Sequence, residues 1–218
     1  MQRRTFLAGI SLVALGAGAG LWLTRPGQPP LMAALAEGSG EADASMVQEM
    51  ALGSADAPVT VVEYASFTCP HCAAFHKTVF PQIKANYIDT GKVRFVYREV
   101  YFDRFGLWAG MVARCGGEGR YFGIVDLIYD RQRDWAAGND PAKIAANLRT
   151  LGKVAGLGDG DLDACMSDGE MAQAMVETWE QNRQRDGIDS TPSFVIDGQK
   201  YGNMSYEDFA RILDAKLG

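Results

Sequence analysis

The chain contains few of the residues that characterise several classes of protein. It has 218 residues but only four cysteines and two histidines, too few for a small domain held together mainly by disulfides. Its 21 Lys and Arg are outnumbered by 27 Asp and Glu, and the net charge of −6 argues against a nucleic-acid-binding protein. A hydrophobic fraction of 47% and a charged fraction of 22% exclude a mostly disordered, collagen-like or coiled-coil protein. The length fits one domain of moderate size, or one domain with an insertion.

The N-terminus has the order of segments expected of an export signal. Arg3 and Arg4 precede an apolar run over residues 6–23, and the small-x-small pattern Ala34-Leu35-Ala36 follows it. This order predicts that residues 1–36 are an export signal, and the arginine pair favours the twin-arginine route. An uncleaved membrane anchor is the alternative, although the run is at the short limit for a spanning helix. Both interpretations place the body of the protein outside the cytoplasm.

The first part of the body shows a strand–helix–strand pattern. Residues 37–57 are rich in small and acidic residues and are predicted to be a flexible lead-in, in which residues 46–52 favour a short helical turn. Aromatic and β-branched residues predict strands over 58–67 and 93–100, and apolar residues spaced four apart predict a helix over 73–89. This order implies two parallel strands joined by a crossover helix.

The C-terminal part is predicted to contain a hairpin and a final helix. Residues 193–196 and 199–202 have the composition of strands, and Asp197-Gly198 between them is a strong hairpin turn. Ser205 is the expected N-cap of the helix that follows.

A long segment without strand patterns separates these two parts. Residues 105–185 show helical periodicity broken at glycine-rich positions. The sequence therefore predicts an α/β domain formed by residues 58–104 and 186–218, with an all-helical insertion between its halves.

The motif Cys69-Pro70-His71-Cys72 is the strongest functional signal. It follows the first predicted strand and opens the helix after it. Pro70 suits the first helical turn, which places Cys69 near the N-cap, where backbone N–H groups and the helix dipole favour a thiolate. A protonated or donating His71 adds to this effect, and Cys72 is expected to be the less exposed, resolving thiol. Because a stable thiolate favours the reduced pair, the Cys69–Cys72 disulfide is predicted to be a strong oxidant.

Two other interpretations of the cysteine pair compete with dithiol–disulfide exchange. A C-x-x-C pair can be half of a zinc site, but no second pair is present and only His71 and His76 lie nearby in the sequence. A purely structural disulfide is disfavoured, because a two-residue loop at a helix start is strained and reducible. We therefore expect redox exchange, with no metal and no organic cofactor.

The residues around the motif resemble a known family. The stretch Val62-Glu63-Tyr64-Ala65-Ser66-Phe67-Thr68-Cys69-Pro70-His71-Cys72 is similar to the DsbA family of thioredoxin-fold thiol oxidases, and the resemblance extends from about residue 52 to the C-terminus. It implies a thioredoxin-like fold with a central mixed sheet and a helical insertion. It also implies a periplasmic oxidase that introduces disulfides into reduced, unfolded or partly folded exported proteins.

The resemblance has implications for partners as well. A DsbB-like, quinone-linked membrane protein would reoxidise the cysteine pair, and we expect a monomer that binds no nucleic acid. A disulfide isomerase or reductase is the first alternative, and a chaperone or metal-binding module without turnover is the second. Threonine before Pro192 favours the isomerase, whereas residues 37–57 are too few for the added N-terminal domain through which isomerase relatives dimerise.

Thr191-Pro192 matches a further landmark of the family, a cis-proline that faces the active-site sulfurs. Because proline has no N–H, its neighbour's backbone would be free to pair with an extended substrate chain beside Cys69. A proline that merely opens the following strand is the alternative.

Glu63 is an acidic residue on an otherwise apolar predicted strand, six residues before Cys69. The family has an acid at this place, and an unpaired buried carboxylate is costly. We expect Glu63 to accept or relay the proton of Cys72. An exposed rim position, or an ion pair with Arg94 or Arg98, is the alternative.

Cys115 and Cys165 lie on apolar faces of predicted helices in the insertion. Two leftover cysteines in one helical block of an exported protein are expected to form a structural disulfide, and some relatives of the DsbA family carry a second bond. Closing a loop of about 50 residues would contribute about 3–4 kcal/mol in the chain-entropy model. Two buried free thiols are the alternative.

Overall fold

A computed structural model describes residues 44–218 of the chain. The predicted export signal, residues 1–36, lies outside the described residues. Within the described part, no helix is long and apolar enough to cross a membrane.

A five-stranded mixed sheet forms the centre of the fold. The strands are β1 (Met50–Leu52), β2 (Val59–Ala65), β3 (Val93–Glu99), β4 (Ser193–Ile196) and β5 (Gln199–Tyr201). Their order across the sheet is β1-β3-β2-β4-β5. Only β2 and β3 are parallel, and each of the other neighbouring pairs is antiparallel. The mixed sheet predicted from the sequence is therefore confirmed.

Helices surround the sheet and form the insertion. They are α1 (Pro70–Thr78), α2 (Phe80–Ile83), α3 (Arg104–Cys115), α4 (Glu118–Asp130), α5 (Gln132–Trp135), α6 (Pro141–Val154), α7 (Asp159–Ser167), α8 (Gly169–Asp186) and α9 (Tyr206–Leu217), with a π-type turn at Lys84–Ile88. The elements α3 to α8 lie between β3 and β4, so the predicted all-helical insertion is confirmed.

The central strand β2 has both faces covered, and its carboxyl end leads to the cysteine motif. Val61, Glu63 and Ala65 on one face and Tyr64 on the other are fully buried. A strand flanked by a parallel partner needs such cover, and its carboxyl end is where the chain leaves the sheet for the crossover helix. The cysteine motif starts four residues after this end, and β3 ends beside it, with Ala65 opposite Glu99.

The helix predicted over residues 73–89 is divided into segments. α1 ends at Thr78, and Pro81 lies in the first turn of α2. The first turn of a helix accepts proline readily because its N–H groups have no partner within the helix. After this break the chain continues through the π-type turn at Lys84–Ile88 to β3.

The predicted hairpin is confirmed, and its turn uses positive φ angles. Asp197 has φ 44° and Gly198 has φ 81°, which are the left-handed conformations that a tight two-residue hairpin requires. The Ser205 hydroxyl accepts a hydrogen bond from the backbone N–H of Asp208, so the predicted cap of the last helix is also present.

The described part of the predicted lead-in, residues 44–57, contains two short elements. A 3₁₀ turn spans Ala44–Met46, and Met50–Leu52 form β1, which extends the sheet beside β3, so the helical turn expected over residues 46–52 is wrong. The Arg98 side chain, on β3, donates to Glu49 at 2.6 Å. This contact holds the residue before β1 close to the sheet. A three-residue strand is too short to give a periodic pattern, and its partner is distant in sequence.

Candidate active site

Cys69 and Cys72 lie at the start of α1, as the sequence predicts. Cys69 is the N-cap with extended backbone angles, and Pro70 is the first helical residue. Cys69 is partly exposed, whereas the Cys72 side chain is fully buried. Only the first thiol can therefore meet a substrate in solution.

The local environment holds the pKa of Cys69 at about 5, far below its ordinary value of 9.0. The largest cause is a hydrogen bond from the Cys72 thiol. The Thr191 side chain and the backbone N–H groups of Cys72 and His71 also contribute, while partial burial opposes them. The backbone donors of the helix start, on which the expectation rested, contribute less than the thiol of Cys72. The His71 imidazole is exposed, and it is the backbone of this residue that supports the thiolate.

Cys72 shows the opposite behaviour. Burial raises the pKa of its thiol far above the ordinary range, and the hydrogen bond to Cys69 and the charge of Glu63 raise it further. In the reduced pair the negative charge therefore lies on Cys69 and the proton on Cys72. This division of charge suits Cys69 to the exchange reaction with an external thiol and Cys72 to closing the internal bond.

The loop before β4 faces the exposed sulfur. The Thr191-Pro192 peptide bond is cis, and Cys69 Sγ lies 3.5 Å from the Thr191 carbonyl oxygen. Pro192 is buried, and Thr191 is partly exposed. The structure thus brings both residues of the predicted landmark beside Cys69.

Glu63 is fully buried, and its partner is a histidine rather than an arginine. Glu63 Oε2 lies 2.9 Å from His76 Nε2. The alternative of a pair with Arg94 or Arg98 is wrong, because both arginines reach Glu49 instead.

The role of His76 was missed at the sequence level, although a signal was present. His76 follows Cys72 by four residues on the same helix, so both side chains lie on one face. The same face meets β2 at Glu63, through the contact between His76 and Glu63.

Gln132 was also missed, and no local signal in the sequence could have found it. Its side-chain amide donates to the carbonyl oxygens of Phe67, at 2.7 Å, and Cys69, at 2.9 Å. These are the backbone groups of the loop between β2 and α1. A buried residue of α5, 63 positions from Cys69, therefore holds the active-site loop in place.

The N-cap residue of α3, the first helix of the insertion, binds the same loop. Thr68 Oγ1 donates to Asp103, at 2.6 Å, and Asp103 in turn accepts from the backbone N–H groups of Phe105 and Gly106 as the N-cap of α3. The insertion thus contacts the loop through two separate elements.

Cys115 and Cys165 are joined in a disulfide with Cα atoms 5.8 Å apart. It links the end of α3 to α7, inside the insertion. Among residues 44–218, no group of three or more His, Cys, Asp or Glu side chains is arranged to hold a metal ion.

The fold and the site together define a thioredoxin-fold protein with a redox-capable C-x-x-C pair at the start of its first long helix. Residues 45–215 match the family model described as thioredoxin. The chain belongs to the thioredoxin family.

Within that family its similarities are to DsbA-type proteins, which confirms the resemblance seen in the sequence. It is 27% identical to alpha-DsbA1 of Wolbachia pipientis, with a TM-score of 0.72 over 78% of this chain and 92% of that one. BdbD of Bacillus subtilis shares the fold, with a TM-score of 0.69 at 23% identity over 82% of this chain and 96% of that one.

A curated relative carries a name that bears on activity. The chain is 33% identical over 170 residues to a putative protein-disulfide oxidoreductase of Rickettsia bellii, which covers 78% of this chain. The match spans 64% of that relative, slightly less than two thirds of its length.

Proposed function

We propose that this protein is an exported thiol:disulfide oxidase that introduces disulfides into other proteins by exchange through Cys69 and Cys72. The observation that carries the proposal is the pKa of Cys69, held at about 5 by donors at the helix start. A thiolate this stable at neutral pH favours the reduced pair, so the oxidised pair transfers its disulfide readily. The similarity to DsbA-type proteins supports the same activity.

The exchange begins with attack on the exposed sulfur. A substrate thiolate attacks Cys69 Sγ, a bond forms between the two sulfurs, and the Cys69–Cys72 bond breaks. The electron pair of the broken bond goes to Cys72, which takes up a proton because burial makes its thiolate unfavourable. Glu63 is the proposed proton donor in this direction.

A second substrate thiol completes the transfer. Its thiolate attacks the substrate sulfur of the mixed disulfide, and Cys69 leaves as a thiolate without needing a proton. The substrate gains a disulfide, and the Cys69–Cys72 pair receives the two electrons. An extended substrate chain beside Cys69 would pair with the backbone at Thr191-Pro192, whose carbonyl lies next to the sulfur.

Export and reoxidation belong to the same proposal. The order of charged, apolar and small residues over 1–36 supports export to the periplasm, and the positions of Arg3 and Arg4 support the twin-arginine route. A DsbB-like, quinone-linked membrane protein would then accept the two electrons from the reduced pair.

Disulfide isomerase or reductase activity is the second candidate, because threonine before the cis-proline is more usual in isomerase-like relatives of the family. The Thr191 hydrogen bond to the Cys69 sulfur acts the other way, since it lowers the pKa of that thiol. The residue before the cis-proline thus bears directly on how strongly the pair oxidises.

The two candidates are separated by the redox equilibrium with glutathione. An oxidase equilibrates at a potential well above that of thioredoxin, and it oxidises a reduced model peptide faster than it reduces insulin. A potential near that of thioredoxin, together with efficient insulin reduction, would favour the reductase.

Trapping in cells tests whether proteins are the substrates. The Cys72→Ala variant lacks the resolving thiol and should retain mixed disulfides with client proteins on Cys69, whereas Cys69→Ala serves as the matched control that captures none. An empty trap with Cys72→Ala, or full cellular activity of a Cys69→Ser variant, would favour a chaperone module without turnover.

A further inference from the structure

The buried pair of Glu63 and His76 has two polar atoms without a partner. Glu63 Oε2 and His76 Nε2 are 2.9 Å apart, but Glu63 Oε1 and His76 Nδ1 are buried and have no hydrogen-bond partner. Leaving a buried polar atom unpaired costs about 1–3 kcal/mol. Because each member of the pair keeps one polar atom without a partner, the pair suggests a role beyond the hydrogen bond that its members share.

The surroundings of this pair restrict the paths by which a proton can reach it. The His76 ring stacks on Tyr129, with ring centres 4.4 Å apart, and packs against Phe80 at 4.8 Å. Its side chain is 2% exposed. The titratable or charged groups around the pair come from every neighbouring element: Cys72 on α1, Tyr97 on β3, Lys84 in the π-type turn, and Asp126 and Tyr129 on α4.

A surface cavity reaches His76 from the side of α2 and α4. It has a volume of about 280 Å³, and its lining includes His76, Lys77, Lys84, Asp126, Tyr129 and Asp130. A cavity of this size whose lining includes charged side chains accommodates water molecules. His76 therefore lies between the cavity on one side and the buried carboxyl of Glu63 on the other.

The exchange reaction creates a need for such a path. Each reduction of the Cys69–Cys72 disulfide leaves the electron pair on Cys72, which is fully buried and strongly favours its protonated form. Water at the exposed Cys69 does not have direct access to this sulfur. A proton must therefore enter through the protein.

We propose that His76 carries protons between the outer cavity and Glu63, which exchanges them with Cys72. This inference rests on the proposed thiol–disulfide exchange. When the disulfide breaks, a proton passes from His76 to Glu63 through their hydrogen bond, and from Glu63 to the Cys72 sulfur. His76 then recovers a proton from water in the cavity. One proton enters for each disulfide reduced, and reoxidation reverses the sequence.

The test measures the half-reaction of the full-length protein. Oxidised protein is mixed with excess dithiothreitol at neutral pH, and loss of the Cys69–Cys72 disulfide is followed by rapid alkylation and mass spectrometry. Since general acid–base groups contribute about 100-fold or more to rates, we expect His76→Ala to react at least roughly tenfold more slowly.

Chemical rescue separates proton transfer from a structural role. The truncated side chain leaves space beside the cavity, so added imidazole should restore most of the His76→Ala rate. Pyrazole has the same ring size but is a far weaker base, and it should restore none. Glu63→Gln should also react slowly, and imidazole should not rescue it.

Two further variants keep the test decisive. His76→Gln can hydrogen-bond to Glu63 but cannot pass a proton, so it should be as slow as His76→Ala even if the alanine variant folds poorly. Tyr87→Phe removes a hydrogen bond to Asp214 elsewhere in the molecule and should react within twofold of wild type.

A wild-type rate in His76→Gln, or equal rescue by pyrazole, would overturn the relay. A wild-type protein whose disulfide does not react with dithiothreitol would instead refute the proposed exchange.

Discussion

At the scale of single residues, the two cysteines of one motif have opposite properties. Cys69 is partly exposed and has donors around its sulfur, which lower its pKa, whereas burial raises that of Cys72. The difference arises from one helical turn, which places the first sulfur at the helix start and the second inside the core. The function we propose depends on that separation.

This separation predicts how stability depends on pH. In the reduced folded protein the pKa of Cys69 is about 5, against 9.0 ordinarily, so between these values the unfolded state binds one more proton. The free energy of unfolding of the reduced protein, relative to the oxidised protein, should therefore rise with pH across this window and lose the gain as pH falls towards 5. The raised pKa of Cys72 affects the free energy of unfolding only above about pH 9, where this thiol ionises in the unfolded state.

Urea unfolding of both redox forms between pH 5 and 9 measures the effect. The slope should not exceed about 1.4 kcal/mol per pH unit, because the folded and unfolded states differ by at most one proton at Cys69. Partial solvation of Cys69 reduces the total gain across the window. A reduced-minus-oxidised difference that is independent of pH would contradict the lowered pKa.

The sequence predicts residue roles well where the determinants are local. The helix-start position of Cys69 follows from the neighbouring Pro70 and from the strand just before it. The partner of Glu63 could not be assigned in this way, because arginines on β3 and a histidine on α1 were all plausible by charge. Only the packing of α1 on β2 selects His76.

At the scale of elements, β1 is the clearest difference between expectation and structure. Its three residues lie in a polar segment, and pairing with β3 rather than intrinsic propensity makes them a strand. The hairpin of β4 and β5 was predictable because Asp197-Gly198 specifies its own turn.

Two methionines in the lead-in test whether it is folded. Met50 in β1 is 4% exposed, whereas Met46 is 45% exposed. Met50→Ala should lower the free energy of unfolding by about 2–5 kcal/mol, as for other buried methionines. Met46→Ala is the matched control and should change it by less than about 0.5 kcal/mol. Equal, small effects in thermal and urea unfolding would mean that residues 44–52 do not contribute to the fold.

At the scale of the whole molecule, the insertion forms part of the active-site support. Gln132 on α5 and Asp103 before α3 bind the loop between β2 and α1 from two directions. The sequence predicted the insertion and its helices, but not these contacts, because they join segments that are far apart along the chain.

Gln132 offers a direct test of this support. Gln132→Ala removes the side-chain donor to the Phe67 carbonyl and one of the two donors to the Cys69 carbonyl, which keeps the backbone N–H of Ala73. The variant should lower the free energy of unfolding by about 1–3 kcal/mol. Asn147→Ala is the matched control, because its amide makes one long bond, 3.4 Å, to the Trp135 carbonyl. If urea unfolding shows the same loss for both variants, the insertion does not support the loop as described.

The most direct test of the whole account is the titration of Cys69 in the reduced protein, followed by the ultraviolet absorbance of the thiolate and by the rate of alkylation. We predict a pKa of about 5 for Cys69 in the wild-type protein. In Cys72→Ala, which lacks the strongest donor, the pKa of Cys69 should be higher. A wild-type pKa near the ordinary 9.0 would remove the driving force for oxidation and contradict the proposed function.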